Sequence, residues 1–298
     1  TKFTTDGISA FEAKQGSSDY GIRGDKLGLE ADSSENITYN LQAGVYLDDN
    51  NEINATYKRI DSKYDYDDSS SDNTTNETTL HHKFKSVNYI YTQNNYDVKL
   101  TASQSKFDRL QNTFIAKSLA NEFSILSNFK YAQDSNLSIG LNRQNFEDSQ
   151  NETKYSTKAV FISNNNKLDK LILSEVVRYD TNDKFGDKVT GKLGAKYLFT
   201  KDLNVSSNIG TAYNAPTLGN LNYTPTLKPE NSKSFDLNVE YKGLKVTYFK
   251  TEIKDLIGYS FSPSFHYLNE EGTSKIDGYE VSYSKNVLKD TLLSLNYT

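Results

Sequence analysis

The stretch NITYNLQAGVYL, residues 36–47, alternates between apolar and polar side chains. Its odd positions are all apolar: Ile37, Tyr39, Leu41, Ala43, Val45 and Leu47. The residues between them are polar or glycine as far as Gly44. Because successive side chains of a strand point to opposite faces, a period of two predicts a β-strand with one apolar and one polar face. SFDLNVEY at 234–241 and KVTYFK at 245–250 repeat the pattern.

Helical spacing is convincing nowhere in the chain. The best candidate is IAKSLANEFSIL at 115–126, and its apolar residues fit a loop leading into a strand equally well. The sequence therefore predicts an all-β fold.

The connections between the predicted strands alternate in length. Short ones are expected at 48–51, 92–95, 133–136, 163–167, 200–202, 242–243 and 285–290. Long ones are expected at 61–79, 106–121, 143–153, 179–188, 214–232 and 258–274. This alternation is typical of an antiparallel transmembrane β-barrel, which has short turns at one mouth and longer loops at the other. Roughly fourteen strands of about ten residues fit, the length that a tilted strand needs to cross a membrane.

The composition agrees with a sheet that is wet on one face. Hydrophobic residues make up only 35% of the 298, yet there are 22 tyrosines and 15 phenylalanines, and Trp, Met and Cys are absent. Tyrosines near strand ends would form the interfacial girdles: Tyr46, Tyr91, Tyr131, Tyr197, Tyr241 and Tyr283. A net charge of −5 without a basic run indicates no nucleic-acid partner, and the lack of cysteine excludes disulfides and thiolate metal sites. A tyrosine-rich soluble β-solenoid or adhesin is the alternative.

Three of the four prolines lie in APTLGNLNYTPTLKPENS, residues 215–232. Proline withholds a backbone donor, so we expect this segment to end one strand near 213 and to set the angle at which the next begins near 233. AYNAPTLGNL (212–221) and TPTLKPENSKSFDLNVEY (224–241) resemble two consecutive motifs of TonB-dependent outer-membrane receptors. YFKTEIKDLIGY (248–259) and YLNEEGTSKIDGYEVSY (267–283) resemble the next two strands of that family. The motif residues, to which we assign a structural role, are Tyr213, Ala215, Pro216, Leu218, Leu221, Pro225, Leu227, Pro229, Glu230, Ser232, Asn269, Gly272, Gly278 and Glu280.

The resemblance implies a barrel of about 22 strands with a plug in its lumen. Residues 1–298 would supply roughly fourteen of those strands, as one incomplete barrel domain without the plug or the closing strands. It also implies a place in the outer membrane of a Gram-negative bacterium, in contact with lipid, and energy from TonB through a region outside this chain. The expected cargo is a small-molecule metal complex bound at the extracellular face.

Residues 6–68 look most like the vitamin B12 receptor branch, which favours cobalamin or another corrinoid as cargo. That branch implies calcium held by outer-loop aspartates, for which the candidates are Asp61, Asp65, Asp67, Asp68, Asp72 and Asp108. A solvated acidic loop is the plainer interpretation. A ferric siderophore is the second choice of cargo and haem the third, with His81, His82 and His266 as candidate ligands.

Two other functions are less favoured. An enzyme is not expected, because no Gly-x-Ser-x-Gly, His-Glu-x-x-His or phosphate-loop motif is present, and no catalytic cofactor is implied. A passive porin would share the strand rhythm but not the proline motifs.

Overall fold

The computed structural model describes residues 1–6, 31–67, 76–289 and 291–298. These residues form 17 strands and one short helix. The strands are β1 (Lys2–Thr5), β2 (Ser34–Tyr46), β3 (Asn51–Asp65), β4 (Glu77–Thr92), β5 (Tyr96–Gln111), β6 (Phe114–Ala132), β7 (Ser135–Asp148), β8 (Thr153–Leu168), β9 (Leu171–Asn182), β10 (Gly186–Leu198), β11 (Leu203–Asn214), β12 (Glu230–Tyr241), β13 (Leu244–Lys254), β14 (Ile257–Ser260), β15 (His266–Asn269), β16 (Thr273–Leu288) and β17 (Thr291–Tyr297). The helix α1 (Leu218–Tyr223) lies between β11 and β12.

Fifteen of the strands form one sheet in which chain order equals spatial order, except that β13 pairs with β16. The strands omitted, β14 and β15, form a separate hairpin. The pairings within the large sheet are antiparallel, for example β11 with β12 from Leu203↔Tyr241 to Asn214↔Glu230. The predicted all-β, antiparallel fold is therefore confirmed.

The chain divides into two compact units. The first contains residues 1–90, 101–123 and 145–154, and the second contains residues 91–100, 124–144 and 155–298. β2 and β3 pair within the first unit, from Ser34↔Tyr64 to Tyr46↔Glu52. The connection between β11 and β12, which contains Pro216, Pro225 and Pro229, belongs to the second unit.

The two faces of the sheet follow the period of two. Leu193, Ile209 and Phe235 are neighbours on β10, β11 and β12, and all three side chains are exposed. On the opposite face of β11, Asn208 donates a hydrogen bond to Asp236 Oδ1 at 2.8 Å. Polar side chains thus bond to one another on one face, while apolar side chains cover the other.

A conventional core is almost absent from the described residues. The buried hydrophobic residues among them are Ala159, Leu221 and Leu227. Two of these lie in the connection between β11 and β12, outside the sheet. The large apolar side chains of the strands are instead exposed, as expected for a surface covered by lipid.

Several predicted long connections are short in the structure. The segments at 106–121, 143–153 and 179–188 belong mostly to strands, which turn at 112–113, 149–152 and 183–185. A strand with water on both faces can consist largely of polar residues. The hairpins therefore continue through polar segments for which composition predicts loops. Thirteen of the fifteen strands in the large sheet therefore exceed the expected ten residues. The longest is β6 with 19 residues, and it contains residues 115–126.

Hydrogen bonds to Asp48 stabilise the tight turn at residues 47–50 between β2 and β3. Asp48 Oδ1 accepts hydrogen bonds from the backbone N–H groups of Asn50 and Asn51 at 2.8 and 2.9 Å. The bond from the Asn50 N–H, followed by that from the Asn51 side chain, lowers the pKa of Asp48. The carboxylate thereby satisfies backbone donors that have no ladder partner.

No helix within the described ranges is long and apolar enough to cross a bilayer.

Ile209 lies midway along β11 on the apolar face, where its side chain is 59% exposed. Replacing it by lysine places a charge among lipid tails, so we expect Ile209→Lys to lower the free energy of unfolding by about 2–4 kcal/mol. The matched control is Asn208→Lys, which puts the same charge on the polar face beside Asp236. The free energy of unfolding of both variants is measured by urea titration in lipid vesicles. Heat-dependent gel mobility gives the folded fraction at each urea concentration. Equal losses would contradict the assignment of the two faces.

Candidate functional site

The first proline of the motif lies where a strand passes into a helix. β11 ends at Asn214, and the side chain of Pro216 is fully buried. Thr217 caps α1: its Oγ1 accepts from the Asn220 N–H at 3.1 Å, and its own N–H donates to Asn220 Oδ1 at 3.0 Å. This reciprocal capping box fixes the first turn of a helix that is too short to be stable alone. Its signal in the sequence is the Pro-Thr-x-x-Asn spacing.

A small apolar core stabilises the connection between β11 and β12. Leu221 is 1% exposed, and Leu227 and Pro229 are also buried. Ala215 and Leu218 are half-buried, whereas Pro225 is exposed. Most of the motif's apolar residues therefore pack within the connection.

Glu230 links the connection between β11 and β12 to the one between β13 and β16. Its Oε1 accepts from the Ile257 N–H at 2.8 Å, and its Oε2 accepts from Asn214 Nδ2 at 3.0 Å. Two residues later, Ser232 Oγ donates to the Ala212 carbonyl at 3.5 Å.

Asn269 makes a second link between the same two connections. Its Oδ1 accepts from the Lys228 N–H at 2.9 Å, and its Nδ2 donates to the carbonyls of Lys228 and Asp255 at 2.9 and 2.8 Å. The Tyr267 N–H also donates to Thr224 Oγ1 at 3.2 Å. The motif residues at 215–232 and at 267–269, distant in sequence, thus form one hydrogen-bonded frame.

The remaining motif residues have separate positions. Gly272 has φ +88°, which L side chains rarely adopt. Gly278 on β16 faces Phe249 on β13, and a Cβ there would lie 3.0 Å from the ring. Glu280 pairs in register with Thr247, and Tyr213 pairs in register with Asn231.

Asp180 belongs to a polar cluster on β7 and β9 that sequence analysis did not single out. Its carboxylate is almost fully buried and accepts from Arg178 Nε at 2.8 Å and from Arg178 Nη2 at 2.7 Å. Arg178 Nη2 also donates to Asn142 Oδ1 at 3.3 Å, and the guanidinium lies 5.9 Å from the centre of the Phe161 ring. A buried carboxylate with a bidentate arginine is fully paired and leaves little free charge.

Five aromatic rings from the two connections form what we call the aromatic cluster: Tyr223, Tyr259, Phe261, Phe265 and Tyr267. Phe265 is central, with its ring centre 5.2 Å from those of Tyr223 and Tyr267 and 5.4 Å from that of Phe261. Tyr259 lies 5.6 Å from Phe261. Sequence analysis also missed this cluster, although the segment YSFSPSFHY at 259–267 is rich in aromatic residues.

The structure describes four of the candidate calcium ligands, Asp61, Asp65, Asp67 and Asp108. Asp61 lies in β3 and is paired with Arg59 and His81 at 2.7 and 2.6 Å, while Asp65, at the end of β3, accepts from Ser33 Oγ. Asp108 lies in β5, 3.3 Å from Lys106 Nζ. Asp67 follows β3, and Asp68 and Asp72 lie outside the described residues. Within the described ranges, no set of three acidic, histidine or cysteine side chains is placed to hold a metal ion.

The histidines considered for haem have hydrogen-bond partners. His81 Nδ1 contacts Asp61, His82 Nε2 lies 2.8 Å from Ser105 Oγ, and His266 Nδ1 lies 2.8 Å from the Ser264 carbonyl. His266 is the one on the connection that carries the aromatic cluster.

Comparisons with known proteins agree with this architecture. Residues 2–298 match the family model described as TonB dependent receptor-like, beta-barrel. The chain is 23% identical over 265 residues to the vitamin B12 transporter BtuB of Photobacterium profundum, covering 83% of this chain and 43% of that protein.

Two solved structures share the fold. The siderophore receptor PirA of Pseudomonas aeruginosa superposes with a TM-score of 0.75 at 15% identity, over 89% of this chain and 56% of that one. A mutant of the ferric enterobactin receptor PfeA from the same organism gives 0.77 at 14% identity, over 97% of this chain and 53% of that one. The chain thus spans about half the length of these proteins or less.

A wide antiparallel sheet with one apolar and one polar face is the fold of a β-barrel of the receptor type. The chain belongs to the TonB-dependent receptor β-barrel family.

Leu221 and Leu227 are the buried leucines of the connection between β11 and β12, so truncating one of them should loosen that connection. We expect Leu221→Ala to destabilise residues 215–229 locally by about 2–5 kcal/mol. A loss of this size is enough to open so short a segment. Amide hydrogen exchange of this segment measures the effect. Thr226→Ala, at an exposed position beside Leu227, is the control and should leave exchange unchanged.

Asn269→Asp keeps the side-chain shape and an acceptor for the Lys228 N–H but removes both donated bonds. Two carbonyls then face a carboxylate, and we expect faster proteolysis within 255–272, equivalent to a local loss of about 1–3 kcal/mol. Glu271→Gln, an exposed change in the same connection, should not alter the rate. Unchanged cleavage of Asn269→Asp would show that this link does not stabilise the frame.

Proposed function

We propose that this chain is the barrel portion of an outer-membrane receptor. In this proposal the receptor binds a scarce metal complex at the extracellular face and imports it into the periplasm with energy from TonB. Family membership is the observation that carries the proposal. The long connections at 215–229 and 255–272 would form part of the extracellular face, because barrels of this type have their longer loops outside.

A corrinoid is the favoured cargo. The relative that covers 83% of this chain is a vitamin B12 transporter, and a second vitamin B12 transporter, from Vibrio vulnificus, is 31% identical over 134 residues. The siderophore receptors named above are similar in fold at only 14–15% identity, a level that supports no statement about cargo.

A ferric siderophore is the alternative cargo, because no motif in the sequence excludes it. Haem is less favoured. His266 has its Nδ1 beside a carbonyl, so Nε2 alone would serve as an axial ligand.

Calcium binding is a separate proposal, limited to the aspartates of residues 66–75. The carboxylates of Asp61 and Asp108 lie beside cationic side chains and do not fit a calcium site as they stand. Residues Asp67, Asp68 and Asp72 would have to supply the oxygens.

The test of cargo uses the complete receptor in detergent and measures equilibrium binding of cyanocobalamin and of ferric enterobactin. We expect cyanocobalamin to bind in the nanomolar to micromolar range and ferric enterobactin at least tenfold more weakly. Uptake of labelled cyanocobalamin by cells with and without functional TonB then separates energised transport from passive flow. The reverse order of affinities would reject the corrinoid, and equal uptake in both strains would favour a porin.

A further inference from the structure

The apolar face of the sheet changes character along β3, β4 and β5. Nearer the turn between β2 and β3 it carries Val45 and Ile53, which pair in register, and on β4 it carries Val87, which is 52% exposed. Charged side chains are unfavourable on the apolar face of a barrel strand except near the edge of its apolar stretch. Further along these strands the same face nevertheless carries four cations: Arg59, Lys83, Lys85 and Lys106.

The alternation of side chains places these cations on the apolar face. Arg59 pairs in register with Tyr39, which belongs to the apolar series of β2. On the polar face, Asn88 of β4 donates to Asn54 Oδ1 at 3.0 Å and accepts from Thr101 Oγ1 of β5 at 2.8 Å. Odd-numbered residues of β4 and even-numbered residues of β5 therefore lie on the apolar face.

The register of β4 and β5 brings two of the cations together. The Asn112 N–H donates to the Glu77 carbonyl at 3.1 Å. In an antiparallel ladder such a bond joins residues that lie directly opposite each other. The same register places Lys83 opposite Lys106.

The register of β3 and β4 adds a third cation to the row. The Tyr66 N–H donates to the Asn76 carbonyl at 3.2 Å, and this register places Arg59 opposite Lys83. Lys83 thus lies between two other cations on adjacent strands. Like charges directly opposite each other destabilise a sheet, so the row needs a compensating anion.

Two aspartates on the same face compensate the outer members of the row in part. Asp61 Oδ2 lies 2.7 Å from Arg59 Nε, and Asp108 Oδ2 lies 3.3 Å from Lys106 Nζ. Asp61 also contacts His81, so its charge is shared between two partners. A guanidinium has five N–H donors, and the contact with Asp61 uses one of them.

The two lysines of β4 keep their charge. Lys85 is exposed and Lys83 is half-buried. Neither forms an ion pair with another residue of the described ranges. Their ammonium groups are therefore available to an anion from outside the chain.

The apolar face of β12, β13 and β16 has cations in a different arrangement. There Lys233 and Lys275 both pair in register with Glu252, and Lys250 pairs with Asp277. Each of these cations has a carboxylate directly opposite it, as expected for a row that is neutralised within the sheet. Cations on this face thus do not by themselves require a row of like charge.

We propose that Lys83 and Lys85, flanked by Arg59 and Lys106, bind the phosphate group of a membrane lipid. The acyl chains of that lipid lie along the apolar residues next to the cations, such as Val87, and its headgroup lies at the lysines. A phosphomonoester offers three acceptor oxygens and up to two negative charges, which suits several cations at once. Basic residues beside a bilayer attract anionic headgroups in this way. The surface is on the opposite face from the polar side chains and does not depend on which cargo is carried.

The experiment measures equilibrium binding of fluorescent dioleoyl phosphatidic acid to the complete receptor in a neutral detergent. We expect Lys83→Gln/Lys85→Gln to weaken binding about tenfold or more, and Lys83→Arg/Lys85→Arg to retain it. The matched control is Lys58→Gln/Lys192→Gln, which removes two lysines from the polar face and should bind like the parent. Heat-dependent gel mobility shows that each variant is folded.

Two further ligands distinguish a lipid from a free anion. Dioleoyl phosphatidylcholine has the same chains but no net charge, and we expect it to bind about tenfold more weakly than phosphatidic acid. Inorganic phosphate at the same concentration should not displace phosphatidic acid, because it lacks the acyl chains. In detergent without anionic lipid, Lys83→Gln should unfold at a higher urea concentration than the parent, since it interrupts the row of like charges.

Each result bears on the inference directly. Equal binding of phosphatidic acid by the parent and the Lys83→Gln/Lys85→Gln variant would overturn it, as would equal binding of the two lipids by the parent. Displacement by inorganic phosphate would replace the lipid with a soluble anion. Selective loss of phosphatidic acid binding in the glutamine variant, with binding kept in the arginine variant, supports the lipid surface. Cargo binding enters none of these measurements, so a wrong cargo leaves the outcome unchanged.

Discussion

Backbone hydrogen bonding in the absence of water is the constraint on which this structure depends. Lipid tails offer no partner to a peptide group, so each strand has to pair its N–H and C=O groups with neighbouring strands. The pairing from Leu203↔Tyr241 to Asn214↔Glu230 continues over the full length of both strands. Side chains are then free to divide by polarity alone, with Ile209 on the apolar face and Asn208 bonded to Asp236 on the polar face. A buried core inside the sheet is unnecessary under this constraint.

Conventional packing consequently appears where the chain leaves the sheet. The connection at 215–229 has to satisfy its own backbone and bury its own apolar residues, and it does so with the capping box at Thr217 and the core around Leu221 and Leu227. This explains why a chain with four prolines has three of them here. Pro216 and Pro229 contribute buried surface as well as a fixed φ, while Glu230 and Asn269 replace the sheet ladder with side-chain hydrogen bonds.

Sequence alone predicted the fold class because a period of two is a direct consequence of strand geometry, as residues 36–47 show. It was less successful at strand ends, where polar residues such as those at 106–111 continue the strand ladder and composition no longer distinguishes strand from loop. The helix α1 was missed because six residues are too few for a helical period, although the Thr217–Asn220 spacing marked its start. The motif residues were found by family resemblance, but their mutual contacts, such as Asn269 with Lys228, join positions 41 residues apart and leave no local signal. The aromatic cluster depends on the same kind of long-range contact.

In α1 and in the β14–β15 hairpin, the residues that stabilise the connections differ from the residues whose rings are exposed. In α1, Leu221 is buried in the small core, whereas Tyr223, two residues later and so on another face of the helix, contacts the aromatic cluster. In the β14–β15 hairpin, the pair Ile257↔Asn269 lies beside the hydrogen bonds of the frame, and the next pair but one, Tyr259↔Tyr267, contributes rings to the cluster. Because different residues perform the two tasks, the exposed rings can change without disturbing the buried motif. The motif thus establishes the family through its buried and hydrogen-bonded residues, whereas the exposed rings belong to positions that the motif does not specify.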